Sequence, residues 1–525
     1  MNDNRITQIV RHVFLMLALL SVLALMACAP AATPTPKPAK PLNVAVVAEP
    51  DTLDMTTSRS SPVASLIGNN IFERLVDLSP QGEKVPGLAE SWTVSPDGKV
   101  FDFTLRKGVK FQNGDPFTAK DVEFSHTRTI TGVAGNLYAR VMANLDKFEV
   151  VDDYHVRYTF KTPDILLLTY RLPWIVSKTY FDKVGQDEFV KKPVGTGPYK
   201  FVEWKQGEYI DLQANDDYWG AKPSVKQVRV FFVREDTSRV AKLKAGEVDM
   251  ITETPYALVK DLETTGFKTT KIPVRPGMVL QFHTLNPDTP WSKRQVRQAI
   301  AHALDGDSIV NTLFQGIPKR YAGLAPFELG YDPDLKLYPF DPAKAKQLLA
   351  EAGYPNGFEM PLVYQAGRLA GGKEILEAIA LNLNAVGIKT TVQAIEAVQF
   401  IDKIRGLHTD KKGLYVGIGG ASITHAADSI LDVDAAYSST SPLSLYSNSE
   451  FDPLIAKAKQ TSNDTQRGEL VKQAVKILRD DIAFVPIYAN ISVTATSKDI
   501  DYTPTVRTGD LALLLTNVKY VSTAK

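Results

Sequence analysis

Strand and helix patterns alternate along the body of this chain, and the alternation limits its fold more than any other feature. Phe101, Phe103 and Leu105 alternate with polar residues, which is typical of a half-buried β-strand. Soon afterwards, Thr118-x-x-Asp121 has the spacing of a capping box and predicts the start of a helix. Strands that interleave with helices in this way predict an α/β architecture.

The same alternation continues towards the C-terminus. Ser292-x-x-Gln295 is a second capping signal and predicts a helix after it. Asp341-Pro342 predicts the start of another helix, and Gly353 predicts its end. No internal repeat interrupts the pattern, so we expect folded α/β domains rather than a repeat array.

The chain is long enough for several domains with large buried cores. It has 525 residues, of which 44% are hydrophobic, and this length gives an expectation of about two to four domains. The 60 Lys and Arg residues balance 59 Asp and Glu residues. A nucleic-acid-binding protein needs a surplus of positive charge, so this balance argues against that class.

The N-terminus carries an apolar segment that ends at the single cysteine of the chain. Residues 13–27 are apolar apart from one serine, and this run is shorter than the roughly 20 residues of a membrane-spanning helix. It ends in Leu25-Met26-Ala27-Cys28, which resembles the bacterial lipobox. The resemblance implies cleavage before Cys28 and attachment of lipid to it. The alternative is a plain signal peptide or short membrane anchor with an incidental cysteine.

A proline-rich stretch follows the cysteine. Residues 29–41 contain five prolines in 13 positions, a composition that favours an extended spacer. We therefore expect residues 1–27 to be a lipoprotein signal peptide and residues 28–40 to be the lipidated cysteine and its tether. The body would then lie outside the cytoplasm, anchored to the membrane by lipid, on the outer face of the cell membrane or in the periplasm.

The sequence offers no established catalytic or metal-binding motif. Neither His-Glu-x-x-His nor Gly-x-Ser-x-Gly occurs. The stretch from Gly367 to Glu374 approaches a phosphate-binding loop, but Glu374 stands where a Mg²⁺-binding Ser or Thr is required. We therefore expect neither an enzyme nor a bound metal or other cofactor.

An ordered series of motifs resembles one family along nearly the whole body. Leu88-Ala-Glu-Ser-Trp92 begins a string that continues to Val122 and resembles the signature of the peptide/opine/nickel (family 5) solute-binding proteins of bacterial ABC importers. Further similar motifs are Glu49-Pro50 with Leu53-Asp54, Gly195–Tyr199, Leu243–Asp249, Val296–Ile300 with Ala303–Asp305, and Tyr446-Ser447 with Phe451–Ile455.

This resemblance implies a two-lobe periplasmic-binding-protein-like fold with two crossover strands and an extra subdomain in lobe I. On this sequence, lobe I would comprise residues 41–280 and a return at 489–525, with the extra subdomain at about 82–190. Lobe II would comprise residues 281–488. The crossover strands would be Val279–Phe282 and Val485–Tyr488.

The resemblance also implies a ligand held between the lobes. Arg368 lies close to where dipeptide-binding members place an Arg for the peptide carboxylate. Ala421 stands where those members have an Asp for the peptide amine, which puts recognition of a free amine in doubt. The candidate ligand contacts are Thr52, Leu53, Tyr256, Met278, Gln281, His283, Arg368, Ile418, Gly419, Gly420, Ala421 and Ser422.

The predicted function is capture of a peptide or amino-acid-derived solute and its delivery to an ABC permease and the permease's ATPase subunits. The alternatives are a receptor of the same fold for an oligosaccharide, an opine or a metal chelate, or an accessory receptor that serves no transporter. We expect a monomer that binds a small molecule or peptide and no nucleic acid.

Overall fold

The computed structural model describes residues 40–57, 62–79, 83–131, 142, 144–164, 167–168, 172–274, 277–365, 372–419, 429–507 and 510–521. Apart from Lys40, these residues belong to one compact unit, Pro41–Lys525. Within the described part of the chain, no helix combines the length and the apolar composition that crossing a membrane requires.

Strands and helices alternate through this unit, as the sequence pattern predicts. The strands are β1 Leu42–Val46, β2 Val76–Leu78, β3 Lys84–Pro86, β4 Ala89–Val94, β5 Val100–Leu105, β6 Leu145–Asp152, β7 His155–Phe160, β8 Tyr199–Lys205, β9 Tyr209–Ala214, β10 Gln227–Phe232, β11 Met250–Ile251, β12 Lys268–Pro273, β13 Met278–Phe282, β14 Glu359–Gln365, β15 Lys389–Ile395, β16 Val416–Gly419, β17 Phe484–Tyr488, β18 Ile491–Thr496, β19 Ile500–Tyr502, β20 Thr505–Arg507, β21 Asp510–Ala512 and β22 Val518–Tyr520. The α-helices are α1 Pro62–Ile71, α2 Ala119–Thr131, α3 Lys178–Lys191, α4 Asp236–Lys244, α5 Tyr256–Thr264, α6 Arg294–Ala303, α7 Gly306–Phe314, α8 Pro342–Glu351, α9 Gly372–Asn384, α10 Ala397–Asp410, α11 Ile430–Tyr437, α12 Phe451–Ala458 and α13 Asp464–Asp480.

Two mixed sheets form the framework. The first sheet has seven strands in the order β12-β18-β11-β1-β10-β9-β8, and the second has five in the order β15-β14-β16-β13-β17. Each has its own buried cluster of aliphatic and aromatic side chains. Strands β1 and β18, inside the first sheet, and β17, at the edge of the second, are buried along nearly their whole length, which is typical of sheets covered by helices.

A third sheet, antiparallel and separate, lies in the first half of the chain. Its order is β4-β5-β7-β6, and α2 packs against it through β6 and β7. Its core is aromatic: Phe101 and Phe160 meet edge to face, as do Phe103 and Tyr158. This sheet occupies residues 89–160, within the stretch that the resemblance assigns to an extra subdomain.

The chain passes between the first two sheets at two adjacent places. One passage joins β12 to β13, and the other joins β17 to β18, with a hydrogen bond from Val274 N to Asn490 O (3.0 Å) between them. The runs Val279–Phe282 and Val485–Tyr488, expected as crossover strands, pair with each other inside the second sheet. The passages themselves lie beside these runs: one leaves β12 after Pro273 and enters β13 at Met278, and the other is Ala489-Asn490.

Helix ends agree with the sequence signals in two of three cases. Asp341 caps α8 by accepting from Lys344 N (2.8 Å). Asp121 reaches back to Thr118 N (2.9 Å), which is half of a capping box. The prediction for Ser292 is wrong, because α6 begins one residue later, after Lys293, and the Ser292 hydroxyl donates to Thr289 O (2.6 Å) in the preceding 3₁₀ turn.

Candidate functional site

The carboxyl ends of the parallel strands in both sheets face the junction between them. In the first sheet, β1, β10, β11 and β12 run in one direction, and β12 ends where the chain leaves for the second sheet. In the second sheet, β14, β15, β16 and β17 run in one direction, and β17 ends where the chain returns. Loops after these strands therefore open toward the junction from both sides, and such edges are where open α/β sheets bind ligands.

A buried arginine shapes the edge of the first sheet. The Arg239 side chain, 1% exposed, donates from Nη1 to Val233 O (2.9 Å) and Arg234 O (2.8 Å) in the loop after β10. From Nη2 it donates to Glu253 O (3.0 Å) in the loop after β11, and to the carboxylate of Asp236 (2.6 Å). One guanidinium thus fixes two neighbouring loops, using the several donors that only arginine offers.

Glu253 takes an unusual backbone conformation in the second of these loops. Its φ is +50°, the left-handed region, which costs a residue with a side chain about 1–2 kcal/mol. Its carboxylate is exposed, yet burial by the surrounding protein raises its pKa, an effect that Arg239 partly offsets.

A buried ion pair holds the loop after β1. Asp54 is completely buried and accepts from Thr56 N (3.1 Å) and the Thr56 hydroxyl (2.6 Å). The guanidinium of Arg128, on α2, bonds to the same carboxylate and stacks over Phe181 at 4.4 Å. Helix α2, which packs against the third sheet, is thereby joined to a loop at the junction edge.

Tyr256 lies at the junction itself. Its hydroxyl donates to Ile491 O (2.5 Å) and accepts from Ile491 N (3.2 Å), at the first residue of β18. Its ring meets that of Phe314 edge to face, with the ring centroids 5.6 Å apart. The ring of Phe314 in turn contacts that of Tyr488, with centroids 5.0 Å apart. Burial raises the pKa of the Tyr256 phenol. The residue connects α5 to the passage between the sheets and to helix α7 of the second sheet.

Three of the predicted ligand contacts lie inside hydrophobic cores. Leu53 is buried with the residues of the first sheet, whereas Met278 and Ile418 are buried in the core of the second. Each is at most 2% exposed. In this structure their side chains contribute to packing and do not reach the surface at the junction.

Two other predicted contacts also face the protein interior. Gln281 points under α11, where its Nε2 donates to the hydroxyl of Tyr437 (3.3 Å). His283 is fully buried, with Nε2 3.3 Å from Lys412 O, and burial lowers its pKa so that the ring is neutral. Neither side chain lies among the loops at the junction edge.

The remaining predicted residues follow the strand ends. Thr52 is half-buried in the loop after β1, where its hydroxyl accepts from Asp54 N (3.0 Å), and Gly419 is the last residue of β16. The other predicted residues lie outside the described part of the chain: Cys28, Arg368, Gly420, Ala421 and Ser422.

The site analysis from sequence missed Glu253 and Arg239. A partial signal was present for Glu253 alone, because the short strand Met250–Ile251 is followed by Thr-Glu-Thr-Pro, and polar residues after a parallel strand lie at the binding edge. Among the described residues, no group of three His, Cys, Asp or Glu side chains is close enough to hold a metal ion.

Comparison with known proteins assigns the family. Residues 83–433 match the model of the bacterial extracellular solute-binding proteins, family 5 (middle region). The chain belongs to this family. Members of the family bind solutes and are not enzymes, and the two-lobe fold predicted from the sequence motifs is confirmed.

Individual relatives cover almost the whole chain. The glutathione-binding protein GsiB of Shigella flexneri is 29% identical over 472 residues, which are 88% of this chain and 91% of the relative. The periplasmic binding protein DppA of Helicobacter pylori, solved with the peptide STSA, is 28% identical with a TM-score of 0.73, over 92% of this chain and 98% of that one. AgaA of A. tumefaciens, solved with agropinic acid, is 27% identical with a TM-score of 0.71, over 92% and 99%.

Proposed function

We propose that this protein is a lipid-anchored receptor outside the cytoplasm that captures a peptide or amino-acid-derived solute between its two lobes and delivers it to an ABC permease. Family membership supports the binding role. The peptide in the DppA structure and the glutathione in the name of GsiB support the solute class. The lipobox-like Leu25–Cys28 supports the anchor.

The observation that carries the proposal is the arrangement of the two sheets. The carboxyl edges of both sheets open toward the passages that join β12 to β13 and β17 to β18, so a solute at the junction would touch loops from both lobes. A solute that contacts both lobes stabilises a closed arrangement, which a permease can distinguish from the open one. No chemical step is needed, since the solute is released unchanged.

Candidate contacts come from loops at these edges. Thr52 lies in the loop after β1, and Gly419 ends β16. Arg368 stands three residues after the end of β14, and we propose that it binds a solute carboxylate through a bidentate pair. Gly420, Ala421 and Ser422 follow β16 directly, and we propose that they line the same site.

A second candidate solute is a small carboxylic acid that is not a peptide. The structure of AgaA with agropinic acid favours it, because AgaA is nearly as similar to this chain as the peptide-bound DppA is. Ala421, in place of an amine-binding Asp, would also suit a solute without an amine at that position.

Native mass spectrometry of the compact unit Pro41–Lys525, purified without denaturation, tests the proposal. We expect an adduct whose released mass and fragments identify a peptide or amino-acid derivative. If the protein has its bare mass and binds neither peptides nor small carboxylic acids in a thermal-shift screen, the proposed function is wrong.

A further inference from the structure

The loop after β11 is held firmly against the passage between the lobes. Thr254 N donates to Val493 O (2.7 Å) on β18, and Tyr256, two residues later, bonds to Ile491 at the start of that strand. Glu253, immediately before Thr254, is therefore fixed at the edge of the first sheet that faces the second.

The protein holds the backbone of Glu253 in a conformation that a side-chain-bearing residue rarely adopts. The φ of +50° is maintained by the bond from the buried Arg239 to the Glu253 carbonyl (3.0 Å). Residues kept in such conformations cluster at ligand-binding sites, where their side chains must point in one direction. A glycine would adopt this φ without strain, so the glutamate is retained at an energetic cost.

The Glu253 carboxylate has no hydrogen-bond or ion-pair partner among the described residues. The nearest guanidinium, that of Arg239, is bonded to the carboxylate of Asp236 and to backbone carbonyls. Beside it, Thr254 is 3% exposed, and its hydroxyl has no partner within the described ranges. Desolvation raises the pKa of Glu253, and the charge of Arg239 offsets only part of that rise.

We propose that Glu253 binds a cationic group of the solute, an ammonium or a guanidinium, at the lobe I side of the junction. This inference rests on the proposed function and adds to it a recognition element for positive charge. The side chain of Ala421 carries no charge, whereas Glu253 carries one at the edge of the first sheet. A partly desolvated carboxylate is well suited to this role, since its charge-assisted hydrogen bonds are stronger than those in water.

The test uses three pools of tri- to hexapeptides and equilibrium dialysis with quantitative mass spectrometry. The first pool has free N-termini and no Lys or Arg, the second is the first after N-acetylation, and the third is N-acetylated but contains Lys or Arg. The proteins are wild type, Glu253→Gln, Glu253→Asp and the control Glu247→Gln. Glu247 lies just before the start of β11, at the end away from Glu253, and pairs with Lys242 at the surface. Its replacement by Gln therefore leaves the junction intact.

We expect wild type and the Glu247→Gln control to prefer the first or third pool over the second by tenfold or more. Preference for the first pool identifies an α-ammonium, and preference for the third identifies a side-chain cation. Glu253→Gln should lose that preference, whereas Glu253→Asp should keep part of it. Thermal melts of all four proteins establish that each is folded.

Two outcomes separate this inference from the proposed function. Equal binding of all three pools by wild type, or an unchanged preference in Glu253→Gln, would overturn the role of Glu253 while leaving peptide binding in place. If wild type binds none of the pools, peptide capture itself is wrong, and the inference falls with it.

Discussion

Replacement of Tyr256 by Phe tests whether this residue braces the passage between the lobes or binds solute. The substitution removes only the hydroxyl, so the ring contact with Phe314 remains. The hydroxyl completes both hydrogen bonds of Ile491, donating to its carbonyl and accepting from its N–H. Strand β11 pairs with β18 only near Ala495 and Thr496 and does not extend to Ile491. The Tyr256 side chain therefore takes the place of a strand partner at Ile491.

The size of the effect follows from those two bonds. A hydrogen bond contributes about 0.5–1.5 kcal/mol net, so losing two should destabilise the region around Ile491 by about 1–3 kcal/mol. Ile491 is 9% exposed, which leaves little access for water to replace the hydroxyl. If the Ile491 amide exchanges by local opening, this free energy corresponds to exchange that is about 5–150 times faster in Tyr256→Phe than in wild type.

Hydrogen exchange of the segment from Ala489 to Thr496, followed by mass spectrometry, measures this change locally, and urea unfolding measures it globally. Tyr209→Phe is the control, because the Tyr209 hydroxyl bonds to the exposed Glu203 (3.3 Å) and to no other described residue, so its loss should leave both measurements unchanged. Unchanged exchange in Tyr256→Phe, together with a tenfold loss of solute affinity, would refute the bracing role and support the ligand contact predicted from sequence.

Three further predictions concern other parts of the chain. Asp54→Ala leaves the guanidinium of Arg128 without its buried partner and should lower the free energy of unfolding by about 3–5 kcal/mol in urea; a loss below about 1 kcal/mol would contradict the buried pair. Burial raises the pKa of Glu253 in the folded state, so wild type loses stability as pH rises from the ordinary glutamate pKa through the raised value. Glu253→Gln should not show this loss of stability. Its melting temperature should therefore exceed that of wild type at neutral pH but not below pH about 4. Equal melting temperatures of the two proteins at neutral pH would contradict this prediction. Cys28→Ala should abolish incorporation of labelled palmitate, whereas continued labelling would exclude Cys28 as the lipid site.

Local sequence signals predicted the elements because they depend on residues a few positions apart. Phe101, Phe103 and Leu105 occupy the buried positions of β5, as their alternation indicates. Asp341 caps α8 within one turn of helix. Ser292 carried the same kind of signal, but its hydroxyl bonds instead to the preceding 3₁₀ turn, which local spacing alone does not reveal.

The candidate site was harder to predict because it depends on which face and which end of each strand lies at the junction. Met278 and Gln281 lie on one strand, β13, yet one enters the core of the second sheet and the other lies beneath a helix. Tyr256 was expected to contact solute, but its hydroxyl donates to Ile491, on a strand more than 200 residues further along the chain. Glu253 became visible only when the strand directions placed its loop at the edge.

Lobe movement on solute binding is the most direct test of the central claim that the solute binds between the lobes. The only native cysteine, Cys28, is absent from the unit Pro41–Lys525, so spin labels can be attached at Val202→Cys and Leu381→Cys, whose native side chains are exposed on opposite lobes. We expect saturating peptide to shift the distance distribution measured by double electron–electron resonance. Peptide that binds, as measured by calorimetry, but leaves the distribution unchanged would contradict the claim.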